Sequence, residues 1–470
     1  MKASELVKNT AIIGIGKVSV QIIQFFLLPI YTSYLLPGEY GEYDYLTTIA
    51  LFLVPMITLL MEEAMFRFLI PANNEKDKSV VLSSTVFFIL SSSIICLTVL
   101  FILLSIFQYQ YILFLMLYII GMILYNLSTA LARGNGNIKL YSFASFLSSL
   151  ITIILNIVFI VVLNFGVKGI MLATSIAHIL VSLFVFIVSG VLVKLSIKNI
   201  DKNVMKKMLK YALPLVPNSI SWVIINFSDR VVIVNFLGAS ANGIYSIANK
   251  FPNLVNTVYG FFYTAWKEAA AKVIDTEDRD SFYQAIYKSL KRILFSICLG
   301  LIGFLPIVFP VLINNSYNDA FKYIPILIMG MYLSNISGFY GGIFSAYLDT
   351  KIMGKSTVIS ALVNLLITLA FINYIGVFAA VLSTFVSNVV VFLMRLQKIK
   401  KYIVFENDWF FNISSMLCAA TVIFGYYFVG GNFIYKTILA LLVVFYAIIA
   451  NFNIIKLMYN TIKLGRINKS

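Results

Sequence analysis

Apolar runs long enough to cross the ~30 Å hydrocarbon core of a bilayer as helices recur from one end of the chain to the other, separated by short links carrying Lys, Asp, Asn or Gly. Fourteen are counted, near residues 9–34, 43–69, 79–106, 111–132, 140–163, 169–193, 211–236, 243–267, 286–313, 321–347, 356–373, 376–395, 409–429 and 432–456. The pattern predicts an all-α integral membrane protein of about fourteen transmembrane helices. Polar side chains in hydrocarbon are costly and face a protein interior or a wet cavity, so their spacing shows which spans share one. In four spans they fall on a single helical face. Span one carries Thr10, Gly14, Lys17, Gln21, Gln24 and Tyr31, and span two carries Asp44, Thr48, Pro55, Thr58 and Glu62. Span seven carries Asn218, Trp222, Asn226, Asp229 and Arg230, and span eight Ser246, Asn249, Lys250, Asn253, Asn256, Gly260 and Tyr263.

Packing through interhelical hydrogen bonds is the plain account of such stripes. It suffices for "SNISGFYGGIFSAY" in span ten, where Ser334, Gly338, Gly342 and Ser345 read as small packing residues. It does not account for Lys17, Arg230 and Lys250, three cations with one nearby acid, Asp229, which point to a substrate path. At ~1.5 Å per residue, Arg230 and Lys250 lie about 10 Å from one end of their spans and Lys17 about 12 Å from the opposite side. Asp229 tempers the charge of Arg230 and is the first candidate for a coupling proton or sodium ion. Glu62 and Glu63 come second, beside Arg67. A direct Asp229–Arg230 pair competes with this reading, although neighbouring residues on a helix do not face each other.

The four striped spans are the first two of each half of a weak internal repeat. "YLLPGEYGEY" (34–43) matches "FLGASANGIY" (236–245) through Gly41-x-Tyr43 and Gly243-x-Tyr245, and "GVKGIMLAT" (166–174) matches "GVFAAVLST" (376–384). Each half holds six spans entering from the same side, so the repeats are parallel. The predicted organisation is an N-terminal lobe over 1–193, a basic linker over 194–210, a C-terminal lobe over 211–395, and two further helices with a tail over 396–470. In the linker Lys194, Lys198, Lys202, Lys206 and Lys210 recur every fourth residue and would form one stripe of a helix, facing anionic inner-leaflet lipid.

Composition agrees with this picture. The chain is 61% hydrophobic and 11% charged, too apolar for a soluble core to absorb. A net charge of +16 in a soluble protein would point to nucleic acid; here the placement of the charges points to orientation instead. With a cytoplasmic N-terminus, 29 of the 35 Lys and Arg fall on the cytoplasmic side, only Lys168, Lys322 and Lys436 fall outside, and Lys17, Arg230 and Lys250 lie within spans. That is the positive-inside distribution, and an even span count places the C-terminus in the cytoplasm too. "MKASELVKNT" leads into an apolar stretch longer than a signal-peptide core, with no A-x-A-like cleavage site, which predicts a retained first helix. Cys96, Cys298 and Cys418 read as packing residues, without metal-ligand spacing. His178, the only histidine, reads as an interior residue rather than a proton relay. Pro29, Pro55, Pro214, Pro217, Pro252, Pro306, Pro310 and Pro325 lie in or at the start of spans, where each removes a helical hydrogen bond and permits bending.

Several stretches carry a resemblance to a known family: "LLPGEYGEYDYL" after span one, "EEAMFRF" ending span two, "NFGVKGIMLAT" before span six and, as the most specific, "MLKYALPLVPNSISWVIINFSDRVVIVNFLGASANGIYSIANKF" across spans seven and eight. The chain resembles the polysaccharide-transporter branch of the multidrug/oligosaccharidyl-lipid/polysaccharide exporter superfamily, typified by Wzx O-antigen flippases. The resemblance implies two six-helix lobes around a central cationic cavity, two extra C-terminal helices, alternating access, and a place in the bacterial cytoplasmic membrane. Its implied substrate is an undecaprenyl-diphosphate-linked oligosaccharide, flipped for O-antigen, capsule or other surface polysaccharide. Membrane lipids, a polysaccharide polymerase and a chain-length regulator are the implied partners, and no cofactor is implied. Lys17, Arg67, Arg230 and Lys250 match the cationic lumen. The stripes place Gln21, Gln24, Asn226, Asn249, Asn253 and Tyr263 beside them as substrate contacts. "MEEAMFRF" departs from the family's commoner pattern by its paired acids Glu62 and Glu63. Lipid II flippases and multidrug exporters share the architecture and stand as alternatives.

Other classes fit less well. A membrane enzyme would gather catalytic groups on a sizeable loop or a His and acid cluster, whereas the outer links are short and lack histidine. A cation antiporter would need an acidic or aromatic cavity, since like charges repel strongly at low dielectric. With no phosphate-cradling Gly-rich loop ending in Lys-Ser/Thr, an ion gradient rather than nucleotide hydrolysis is the expected energy source.

Overall fold

The computed structural model describes residues 25–72, 74–428, 432–452, 454 and 456, without the side chains of 192, 225 and 226, and among these residues there is no strand. The helices are α1 (Leu28–Tyr34), α2 (Pro37–Thr58), α3 (Met61–Leu69), α4 (Glu75–Ile106), α5 (Ile112–Gly134), α6 (Ile138–Asn156), α7 (Gly166–Val188), α8 (Val191–Lys194), α9 (Lys202–Ala212) and α10 (Leu215–Leu237). They continue as α11 (Ala239–Lys272), α12 (Arg279–Leu312), α13 (Ile324–Ala346), α14 (Lys351–Ile375), α15 (Val377–Ile399), α16 (Trp409–Phe428) and α17 (Phe433–Ala450).

Among the described residues ten helical segments are long and apolar enough to cross a membrane, and counting each of two bent pairs as one span brings the number to twelve. α11, at 34 residues, is long enough as well, and its polar stripe keeps it out of the apolar set. Predicted spans two to fourteen therefore each coincide with a helix or a bent pair; most of span one, with Lys17, Gln21 and Gln24, lies outside the described residues. The central windows of α4 and α14 are only 11% buried within the protein, leaving side chains such as Ile94 and Leu366 each 66% exposed. A helix apolar all round and barely covered by protein is one that lipid covers.

Span two is not the single run its hydropathy indicates. α2 ends and α3 begins across Leu59 and Leu60, both left-handed at φ 47° and 55°, and the two helices meet at 57°. A left-handed conformation costs a non-glycine residue roughly 1–2 kcal/mol, so two in succession persist only where the surroundings impose them. Part of the compensation is visible: the Leu60 N–H donates to Thr58 Oγ1 at 3.2 Å, and the Leu60 carbonyl accepts from the N–H groups of Glu63 and Ala64. No glycine or proline stands at the break itself, so nothing in the local residue pattern marks it. α10 is bent as well, by 50° between Ile224 and Phe227.

The described chain divides into two compact units, Met1–Gly243 and Ile244–Ser470. In the first, α5, α6 and α7 pack around Ala132, Leu140, Ala144, Val181 and Val185, and α10 packs on α2. His178 stacks on Tyr125 with ring centroids 4.6 Å apart, as an interior packing residue. In the second, α13, α14 and α15 form one packed group and α16 and α17 pack with α12. Gly338 and Gly342 of α13 admit aromatic side chains of α11: a Cβ on Gly338 would lie 2.6 Å from the Tyr259 hydroxyl, and one on Gly342 2.4 Å from Trp266 Nε1, which donates to the Phe339 carbonyl at 3.0 Å. Cys96, Cys298 and Cys418 are free thiols.

The lysine stripe of the linker does not exist as one helix face. Lys194 ends α8, Lys198 sits in a 3-10 turn over Ile197–Asn199, and only Lys202, Lys206 and Lys210 share α9. Serines of α4 hold the chain in this path. Ser79 Oγ donates to the Lys194 carbonyl (2.5 Å), the Ser196 N–H to Ser83 Oγ (3.1 Å), Asn199 Nδ2 to Ser79 Oγ (2.7 Å) and the Asp201 N–H to Ser84 Oγ (3.1 Å). These local bonds outcompete continuation of the helix. Lys194 Nζ, 2.6 Å from Glu75 Oε2, holds that carboxyl below its usual range.

Candidate functional site

The polar residues of α2, α10 and the first turn of α11 converge. Arg230 and Asp44 each lie seven residues from the Leu237 and Pro37 ends of their helices, about 10 Å along the axis, so helices packed side by side bring them level. Arg230 Nε donates to Asp44 Oδ2 at 2.6 Å. Asn242 Nδ2 donates to the same oxygen at 3.3 Å and to the Gly41 carbonyl at 2.9 Å. The Arg230 guanidinium also sits 4.7 Å over the ring of Phe227, one turn earlier. Asp44 is 9% exposed, Arg230 8% and Asn242 0%. An ion pair so dry must be hydrogen-bonded to offset the loss of hydration, and the Asn242 amide supplies part of that compensation.

Beneath the ion pair the backbones touch. A Cβ on Gly41 would stand 1.8 Å from the Ala239 carbonyl oxygen and 2.6 Å from the Gly243 nitrogen; one on Gly243 would stand 2.0 Å from the Pro37 oxygen and 3.0 Å from the Gly41 nitrogen. Each glycine therefore meets the carbonyl four residues before the other. The contact is symmetric between the two repeat motifs, whose shared Gly-x-Tyr is explained by it: only glycine lets the helix backbones approach this closely.

Arg230 thus takes its carboxylate from α2, and the ion pair is with Asp44 rather than Asp229. Asp229 is half-buried on the same helix. Glu63 and Arg67 are not paired with each other: Glu63 Oε1 accepts from Arg133 NH2 of α5 at 2.9 Å, with Arg133 over Phe66 at 4.8 Å, while Arg67 is exposed. Glu62 is 4% exposed. Its Oε1 accepts from Thr58 Oγ1 at 3.3 Å, and its Oε2 has no partner among the described residues. The left-handed break puts this acid at the start of α3 facing the end of α2. In the second unit Asn249, Lys250, Asn253 and Tyr263 of α11 are half-buried, and Asn249 Nδ2 bonds back to the Tyr245 carbonyl at 2.9 Å. The Asn226 side chain lies outside the described ones.

Asp44, Asn242 and Arg133 were missing from the candidate set read from sequence. Asp44 had a signal, its place in the span-two stripe; Asn242 and Arg133 sit at span ends, where a polar residue carries none. Among the described residues no group of His, Cys, Asp or Glu could hold a metal ion.

The sequence profile of the polysaccharide biosynthesis protein family matches residues 6–267, more than half of the chain and all of the ion-pair cluster. A comparison with curated proteins gives no match. Among solved structures, the lipid II flippase MurJ in an inward closed conformation superimposes with a TM-score of 0.66 at 13% identity, over 96% of this chain and 100% of that one. An inward-facing multidrug resistance transporter of the MATE family, in the MOP superfamily, gives 0.63 at 17% identity, over 83% and 98%. MATE in complex with MaD3S gives 0.54 at 18%, over 84% and 96%. At these identities the likeness is one of fold.

Proposed function

The chain belongs to the polysaccharide biosynthesis protein family, and from that premise we propose that it flips a lipid-linked oligosaccharide, carried on undecaprenyl diphosphate, across the bacterial cytoplasmic membrane by alternating access. The observation that carries this reading is the dry Asp44–Arg230–Asn242 cluster joining the second span of one repeat to the first and second spans of the other. A purely structural contact between membrane helices needs only the glycine pair. An added buried ion pair is expensive to form and expensive to break, which suits a latch with two states. Latched, the helices are closed at the end where α1 meets α2 and α10 meets α11; unlatched, Arg230 and Asn242 are released toward substrate together with Lys17, Arg67 and Lys250. The lobes follow the repeats, 1–193 and 211–395. Lipid II, like the substrate carried by MurJ, is the alternative cargo, favoured less because the matching family is one of polysaccharide biosynthesis.

Orientation follows the basic residues, so the latched end is the outer one. A single cysteine at Gly238 or Asn432 is expected to react with a membrane-impermeant maleimide from outside, and one at Asp201 is not; labelling at Asp201 in intact cells would reverse the topology and place the latch in the cytoplasm.

The energy source on this reading is a proton or sodium gradient, and Glu62, 4% exposed where Asp229 is half-buried, stands beside Asp229 as a coupling group. A buried carboxylate with one oxygen unpartnered is stabilised by taking up a proton or a cation, and the broken α2–α3 junction supplies a helix terminus whose carbonyls can help to hold it. In vesicles carrying a fluorescent lipid-linked oligosaccharide, flipping is expected to respond to collapse of one gradient. Glu62→Gln is expected to remove that response with substrate still bound. Flipping that ignores both gradients in the parent protein would leave downhill transfer, drawn by polymerisation on the far side.

A further inference from the structure

Arg395, the last residue of predicted span twelve, is one of the 29 cations that fall on the cytoplasmic side. It lies four residues before the end of α15, yet it is only 9% exposed. Its partners are neutral. Nε donates to Ser356 Oγ at 3.0 Å, NH1 to the Ser337 carbonyl at 3.0 Å and NH2 to Thr357 Oγ1 at 3.2 Å. Among the described residues no carboxylate pairs with it. Arginine cannot shed its proton, so the full positive charge stays in place, and two of its five N–H groups are still available.

A second anomaly lies beside it. The Tyr259 hydroxyl on α11 is buried and has no hydrogen-bond partner among the described residues, although buried hydroxyls normally find one. Its ring stacks on Tyr263 at 5.9 Å, and both hydroxyls are within electrostatic reach of Arg395. The glycines of α13 make the space. A Cβ on Gly341 would lie 3.5 Å from Arg395 NH1 and 3.7 Å from the Tyr263 hydroxyl, with the Met353 methyl at 3.2 Å, so the two donors border the same point on α13. Lys267, exposed one turn further along α11, holds its ammonium 5.9 Å over the Tyr263 ring. A path of donors thus leads from solvent at Lys267 through half-buried Tyr263 to buried Arg395.

A cation without an anion and a hydroxyl without an acceptor have one common remedy, an anion rich in acceptor oxygens. We propose that Arg395, Tyr263 and Tyr259, approached past Lys267, form a phosphoryl-binding site in the C-terminal unit that holds the diphosphate of the lipid-linked substrate. The guanidinium fork suits phosphoryl oxygens, and the site is built without any residue of the Asp44–Arg230 latch. The same chemistry would accept the phosphate of an anionic phospholipid. The assignment of diphosphate as cargo rests on the function proposed above; the phosphoryl site itself does not.

Trp266, stacked on Phe339 at 4.3 Å and one turn from Tyr263, is a built-in reporter. In full-length protein carrying Trp222→Phe and Trp409→Phe, in phosphatidylcholine nanodiscs, farnesyl diphosphate is expected to change Trp266 fluorescence saturably and farnesol is not. Arg395→Gln is expected to weaken the affinity about tenfold or more, and Tyr259→Phe about fivefold. Arg395→Lys should retain part of it. Tyr259→Phe deletes only a hydroxyl without a partner, so its melting temperature should not fall, and it keeps the test open if Arg395→Gln does not fold. Adding phosphatidylglycerol to the nanodiscs identifies the source of the phosphate: competition that disappears in Tyr259→Phe supports the site and assigns it to the lipid surface, whereas absence of competition supports it and assigns it to the substrate. Farnesyl diphosphate binding by the parent that is unaffected by Arg395→Gln and Tyr259→Phe overturns the site and leaves the proposed function standing. Failure of the parent to bind farnesyl diphosphate, with phosphatidylglycerol bound through Arg395, overturns the diphosphate cargo and keeps the phosphoryl site.

Discussion

Arg230→Gln is expected to cost about 3–5 kcal/mol of stability, because it removes the cation 2.6 Å from the buried Asp44 carboxylate. The protein should accumulate poorly and lose export. Adding Asp44→Asn removes the buried carboxylate charge as well, so the double variant should regain most of the protein level: a neutral pair replacing a buried ion pair is often no less stable. What it should not regain is transport, since neither the switchable latch nor the released cation remains. Quantitative immunoblotting and thermal melting of the two single variants and the double variant measure the coupling, and the interaction energy is expected to exceed about 2 kcal/mol for groups 2.6 Å apart. Additive losses would mean that the pair contributes nothing to the closed state. Full transport by the double variant would make the ion pair an ornament of packing and remove the observation on which the proposed mechanism rests.

Gly41→Ala is expected to have an effect of similar size through sterics alone. The added methyl would meet a carbonyl oxygen at 1.8 Å and a backbone nitrogen at 2.6 Å, and neither can swing aside as a side chain would, so α2 and the first turn of α11 must part. Overpacking of this kind costs about 1–3 kcal/mol or more, and here it falls on one conformation only. The variant should therefore favour the unlatched state. A cysteine at Asn242, which is 0% exposed, is expected to be slow to label from outside in the parent and at least tenfold faster when Gly41→Ala is present. Gly243→Ala should act the same way, its methyl meeting the Pro37 oxygen at 2.0 Å. Unchanged labelling in a well-folded variant would place the glycine contact outside the conformational cycle.

The two predictions divide the site according to what each kind of residue reveals before folding. Gly41 and Gly243 announced themselves through a repeated motif, because a backbone approach this close tolerates one residue type only. Arg230 announced itself by its cost, because a cation within an apolar run has few reasons to be there. Neither signal carried the identity of a partner. The nearest acid in sequence, Asp229, points about 100° away around the helix, and the acid that Arg230 meets is 186 residues distant. The same blindness hid Arg395, which lies near a helix end like many surface cations and is set apart only by what surrounds it.

The amino-acid sequence by itself determined that the chain crosses a membrane many times, where its spans lie, and which helix faces carry polar groups. These follow from terms that add residue by residue along one segment: the apolar length matched to a bilayer and the cost of each polar group at its helical angle. Tertiary structure alone decided that span two breaks at Leu59–Leu60, that the linker follows the serines of α4 rather than a lysine-striped helix, and that Asp44 rather than Asp229 neutralises Arg230. Each of those depends on which helix lies against which, and the energies involved, a hydrogen bond to a distant serine or a carboxylate at 2.6 Å, exist only once segments far apart in sequence have packed together.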